Sequence, residues 1–185
     1  MKTPAGVVRF PAREYTQEKK VPGLEESAVR LITPEEQQAV DRIWQETTGL
    51  PLLLLMEAAA AAVVQECRNY AAERNLPCLP VLVLAGKGQN GGDAFACARM
   101  LLAGGWPVAC RELYPDAALP AEAAANRRAL IGLGCRLGPA TEMDFKMDPN
   151  GLILDGLFGS GYQSDRRLPE DFIRLSSWIA DARRR

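Results

Sequence analysis

The sequence predicts an α/β protein: a three-layer α/β/α domain on a mostly parallel sheet, with N-terminal helices ahead of it. Three observations predict this. Val81-Leu82-Val83-Leu84 is an apolar run with no polar residue, the pattern of a strand buried on both faces. Four glycines follow within residues 85–93, and then Ala94, Ala98, Leu101 and Leu102 recur at helical spacing. From Val81 onward strand and helix patterns alternate, which calls for parallel strands covered by helices on both faces.

A chain of 185 residues is enough for one domain with a full core. Apolar residues make up 48% and charged residues 24%, an ordinary globular balance. The net charge of -1 gives no general attraction to nucleic acid or an anionic membrane. Histidine is absent, which excludes His-ligated metal and leaves acid–base work to carboxylates, Lys, Cys, Tyr or water. Five cysteines without close pairs argue against a disulfide framework and for a reducing compartment, with buried structural thiols as the default. The opening MKTPAGVVRFPAREYTQEKK has no apolar core for a signal peptide. The longest apolar stretch, residues 52–64, contains Glu57 and is too short to span a bilayer. The expectation is a cytoplasmic protein.

The elements follow in order. Residues 1–30 mix charges with Pro4, Pro11 and Pro22 and read as an irregular arm; residues 31–185 read as the domain. Thr33-Pro34-Glu35-Glu36 is a helix start, with Thr33 as N-cap and Glu36 closing a capping box. Val40, Ile43 and Trp44 give that helix one apolar stripe, and Gly49 ends it. A second helix, about residues 52–73, is apolar nearly all round in its first half and should be buried there. Its five alanines, residues 58–62, suit close core packing or a dimer face. After the central strand, residues 106–113 read as a strand and residues 119–133 as a helix from Pro120 onward. Residues 135–137 suggest a short strand, residues 141–150 are polar and poorly patterned, and Gly151-Leu152-Ile153-Leu154-Asp155 is another buried strand. Residues 156–161 form a second glycine-rich turn, and residues 168–182 a last helix striped by Phe172, Leu175 and Ile179. Arg183-Arg184-Arg185 then reads as a solvated basic helix end.

In parallel sheets ligands bind beyond the carboxyl ends of the strands, which is where both glycine turns, residues 86–93 and 156–165, would lie. Asn90, Asp93 and Asp155 would then face one crevice. Gly86-x-Gly88-x-x-Gly91 formally matches the Rossmann-like dinucleotide fingerprint, in which glycines admit the ligand and a helix N-terminus receives its anion. A turn that merely links strand to helix is the plain alternative. An NAD(P)-dependent oxidoreductase built this way would want an acidic residue about 20 positions on to hold the ribose, and Glu112 stands roughly there. Asp93 also reads as an N-cap of the following helix, and Asp155 as an exposed carboxylate at a strand end.

The segment GKGQNGGDAFACARMLLAGGWPV resembles the GxGNNGGDG-x-x-x-AR-x-L-x-x-x-G-x-x-V segment of the YjeF N-terminal domain family, the NAD(P)H-hydrate epimerases. LITPEEQQAVDRIWQETTGLPLLLLMEAAA resembles that family's opening helices with their L-M-E-N-A-G segment, and LILDGLFGSGYQSD its D-A-x-F-G-x-G segment. The pieces occur in the family's order and cover residue 31 to the end. Gln89 stands where the family usually has Asn, Ala94 replaces a glycine, and Ala58-Ala59-Ala60 replaces N-A-G. The family pattern continues past the position of Arg185 with another strand and a V-D-x-P-S-G segment. A C-terminally truncated sheet is therefore expected to expose an edge near residues 152–154. That edge would lead to dimerisation, cover by the N-terminal arm, or completion by another polypeptide.

The resemblance implies NAD(P)H hydrated at C6 (NADHX or NADPHX) as substrate and interconversion of its S and R forms. It implies a substrate site lined by Gln89, Asn90, Gly91, Gly92 and Asp93, and by Gly159, Ser160, Gly161, Tyr162, Gln163, Ser164 and Asp165. It implies a potassium ion held by Asn90 and Asp155, sensible because hard cations prefer oxygen donors. Asp93 is the expected catalytic residue, as proton donor to the hydroxyl, as negative charge beside a developing cation, or as both. A homodimer and a dehydratase partner are further expectations. A non-catalytic nucleotide-binding or scaffold relative, or an inactive fragment, is the competing class.

Overall fold

The computed structural model describes residues 33–140, 151–159 and 170–182. The expected N-terminal arm, the polar stretch 141–150, the second substrate loop at 160–165 and the basic end 183–185 lie outside the described residues.

Helix α1 (Pro34–Thr48) begins as its sequence requires. The Thr33 hydroxyl accepts from the Glu36 N–H, and the Glu36 carboxylate accepts from the Thr33 N–H. Gly49 ends it in the left-handed conformation, φ 69°, where a side chain would be strained. Helix α2 (Leu53–Ala72) follows. The sheet then alternates with helices: β1 (Val81–Ala85), α3 (Gln89–Ala103), β2 (Val108–Glu112), α4 (Ala121–Gly132), β3 (Leu137–Pro139), β4 (Leu152–Gly156) and α5 (Glu170–Ala182).

All pairings are parallel, in the order β3-β2-β1-β4. Alternation along the strands sends side chains to opposite faces. Val81, Val83, Ala85, Cys110, Leu152 and Leu154 join Met56, Ala60, Val64 and Cys67 of α2, the buried face of α3, and Leu130 of α4. Leu84, Ile153, Leu157 and Leu175 form the core of the opposite face, with Phe172, Trp178 and Ile179 of α5 packed on it. Helices on both sides of a parallel sheet make the three-layer α/β/α architecture that the alternation of patterns required. Among the described residues β4 pairs with β1 alone and so stands at an edge.

Two expectations are corrected. The first half of α2 is not buried all round: Met56 and Ala60 are buried, but Leu54 is 46% exposed and Ala58, Ala59, Ala61 and Ala62 face outward. Periodicity shows that a face is apolar, not that the same chain covers it. Helix α3 begins at Gln89 rather than at Ala94, so residues 89–93 of the expected turn are its first turn and a half. Small residues there let the helix start directly under β4 and α2, as the next section describes.

Candidate functional site

The chain leaves β1 through α3 for β2 on one side, while β4 lies on the other side of β1. Strand order therefore reverses next to β1, and the crevice of this sheet opens between the carboxyl ends of β1 and β4. Ala85 pairs with Gly156 in register, so the turn entering α3 and residues 156–159 leave the sheet side by side. The Gly86 N–H donates to the Gly156 carbonyl at 3.0 Å.

Most glycines of the turn are fixed by protein packing. A methyl group on Gly86 would fall on the Leu157 carbonyl, and one on Gly91 on the Gly86 carbonyl. A methyl on Gly92 would meet the end of Met56 from α2 and Ala123 from α4, 2.5 and 2.9 Å away. Gly88 differs: its added methyl would meet nothing within 4 Å. Asn90, the second residue of α3, donates from Nδ2 to the Phe158 carbonyl at 2.8 Å, and Gly159 packs on its Cβ. Asp155 is exposed, and its Oδ1 accepts from the Leu157 N–H at 3.0 Å. Asn90 and Asp155 thus both brace the chain that leaves β4. Gln89 is exposed on the first helical residue.

Asp93 is not the N-cap of α3; Gly88 holds that position and Asp93 lies five residues in. Its carboxyl is half-buried, with no hydrogen-bond or ion-pair partner among the described residues. Burial raises its pKa from 3.8 to about 6. That is the range in which one group can give a proton and take it back near neutrality. The thiols contrast with it. Burial pushes Cys67 up to about 11 and Cys97 up to about 12, and raises Cys110 as well, so these cysteines stay protonated in the core.

Sequence reading missed the groups that support this rim. Arg99 of α3 donates Nε to the Asn126 Oδ1 at 3.0 Å and pairs through its Nη2 with Glu57 of α2. Asn126, buried on α4, turns its Nδ2 toward the Met56 sulfur at 3.4 Å. Glu57 inside the apolar first half of α2 was the visible signal of such a partner. Glu112 is 4% exposed, and both its oxygens accept from Arg127, at 2.7 and 2.9 Å. A carboxylate held this way cannot take ribose hydroxyls without giving up its ion pair, so the role an ordinary dinucleotide fold needs at this place is not filled by Glu112. Lys87 stands exposed at the rim with its Nζ 5.2 Å from the Tyr114 ring centre. Among the described residues no group of three or more Cys, Asp or Glu side chains gathers to bind a metal, and no helix is long and apolar enough to cross a membrane.

Fold and rim define the class: an α/β/α domain with a parallel sheet and a glycine-lined crevice at its switch point. The chain belongs to the family described as YjeF-related protein N-terminus, whose model matches residues 53–184. It is 33% identical over 141 residues to the NAD(P)H-hydrate epimerase of Rhodopirellula baltica, covering 70% of this chain and 52% of that one. It is 34% identical over 147 residues to the epimerase of the same name from Leuconostoc kimchii, covering 80% and 61%. It is also 35% identical over 167 residues to the bifunctional NAD(P)H-hydrate repair enzyme Nnr of Salinibacter ruber, covering 80% and 29%. The chain thus spans about half to three fifths of the epimerases it matches. The crystal structure of yeast ynu0 superposes with a TM-score of 0.64 at 21% identity, over 84% of this chain and 67% of that one, a likeness of fold.

Proposed function

We propose that this chain is an NAD(P)H-hydrate epimerase domain, interconverting the S and R forms of C6-hydrated NADH and NADPH. The observation that carries the reading is Asp93, a half-buried carboxyl with its pKa raised to about 6, beside a rim that Asn90 ties to the 156–159 chain. The names of the relatives support the choice of reaction.

C6 of the hydrated ring carries a hydroxyl next to the ring nitrogen. Protonated Asp93 gives its proton to that hydroxyl, the C–O bond breaks and water leaves. The nitrogen lone pair forms a C=N bond, and the cation lies beside the carboxylate just formed. Water adds to the other face and returns its proton to Asp93. Gln89, Asn90, Gly91, Gly92 and Gly159 line the nucleotide site in this reading.

The donor set suits a hard monovalent cation such as potassium. Asn90 spends its Nδ2 on Phe158 and keeps its amide oxygen, and Asp155 keeps one carboxylate oxygen beyond its bond to Leu157. Asn90 and Asp155 would hold such a cation, which would supply fixed positive charge near the nucleotide. The chain works in the cytoplasm, in keeping with five free cysteines, and beside an NAD(P)HX dehydratase, as the bifunctional relative suggests. It forms a homodimer through α1 and the outer face of α2. No α1 side chain is buried, Val40 and Ile43 are 53% and 59% exposed, and Leu50, Leu54 and the outward alanines continue the apolar surface.

Purified chain is assayed on the separated S and R hydrates, with and without potassium. Interconversion that potassium accelerates is expected; hydrates that keep their configuration, or hydride transfer to NAD(P)+, would overturn the reading. Light scattering tests the dimer: Ile43→Asp should give a folded monomer, and a wild-type chain that is itself monomeric refutes it.

A further inference from the structure

We infer that Ala94 and Gly156 are a matched pair of positioning residues: together they leave room for one methyl group between α3 and the end of β4. The kinetic part of this inference rests on the epimerase reading, and the packing part does not. Gly156 is the last residue of β4, between Asp155 and Leu157. Ala94 follows Asp93, one turn beyond Asn90. A Cβ at position 156 would lie 2.5 Å from the Ala94 Cβ, 2.8 Å from the Asn90 carbonyl oxygen and 3.2 Å from the Leu84 carbonyl oxygen. Ordinary contacts of a Cβ begin at 3.4 Å. Both residues are buried, and two of the three obstacles are backbone, so no flexible side chain can swing aside.

The segments held at this distance are the ones that carry the site. Asn90 reaches the Phe158 carbonyl from α3, and Asp155 and Gly159 flank the same short stretch on the other side. A second methyl would lift the end of β4 off α3 and break the bond from Asn90 to Phe158 while leaving every polar side chain in place.

The test is a double-mutant cycle on the full chain: wild type, Gly156→Ala, Ala94→Gly and both together. Three quantities are read: the urea midpoint, the exchange protection of the Asn90 side-chain amide by NMR, and kcat and KM for epimerisation. Gly156→Ala alone should lower the midpoint, lose the amide protection and cost at least tenfold in kcat/KM. The double variant removes the 2.5 Å contact but keeps the Asn90 carbonyl at 2.8 Å, so it should regain part of all three. Additive midpoints would overturn the pairing. Unchanged Asn90 protection in folded Gly156→Ala would overturn the positioning role. If wild type does not epimerise, the functional reading fails, and the midpoints and amide protection still decide the pair.

Discussion

Replacing Asp93 with Asn separates the stability cost of its carboxyl from the proton transfer proposed for it. The ionised carboxylate is held in a half-buried place without a partner among the described residues, and burial raises its pKa from 3.8 to about 6. At face value that difference amounts to about 3 kcal/mol against the ionised form. The side chain still reaches solvent in part, so screening reduces this to about 1–2 kcal/mol. The sign follows from proton binding. Between pH of about 4 and about 6 the folded chain holds a proton that the unfolded chain has released, so stability falls as pH rises through that window and stays at the lower level above it. Asp93→Asn has no such loss. Urea unfolding should find it more stable than wild type by about 1–2 kcal/mol at pH 8, with the advantage vanishing near pH 4. Epimerisation should meanwhile fall by about 10²- to 10⁴-fold, because an amide cannot deliver the proton. A stability difference that does not change with pH would refute the burial argument. Full epimerisation by the Asn variant would refute the catalytic one.

The glycines of the turn give a second contrast. Gly86→Ala and Gly91→Ala put a methyl on a backbone carbonyl and should cost about 3 kcal/mol or more in urea unfolding, or prevent folding. Gly88→Ala has open space and φ -100°, so it should cost only the N-cap preference for glycine, about 1 kcal/mol, and otherwise act on nucleotide binding, read as a raised KM. Arg127→Ala leaves the Glu112 carboxylate buried and unpaired, and thermal unfolding should record a loss of about 2–4 kcal/mol; Glu112→Gln in the same chain should recover part of it. Asn90→Ala removes the bond to the Phe158 carbonyl and should cost about 1–2 kcal/mol, together with the potassium response of the epimerisation rate.

Much of the fold was legible because its causes are local. An apolar run without polar residues marked β1, a capping box marked α1 to the residue, and the alternation of strand and helix patterns implied the parallel sheet. The start of α3 was not legible. Glycines read as a turn by their conformational freedom, yet here Gly91 and Gly92 are helical, and glycine is required because Gly86, Met56 and Ala123 press on them. Met56 and Ala123 come from two other helices, and no spacing along the chain announces them. The partners of Asn90 and Glu112 were hidden for the same reason, since the Phe158 carbonyl lies 68 residues away and Arg127 on the next helix.

This bears on how a glycine motif is weighed. The match Gly86-x-Gly88-x-x-Gly91 suggests a backbone opened for a nucleotide, but the first and last of its glycines are taken up by the protein's own carbonyls. Only Gly88 leaves space that protein does not fill. A chain with the same letters could therefore keep this turn for packing alone, without any ligand. In the proposed reading the group that ties the turn to chemistry is the one packing does not need there: Asp93, a carboxyl whose ionised form burial disfavours. A residue that costs stability where an amide would not is hard to explain by packing, and that cost favours Asp93 as the site of the proposed reaction.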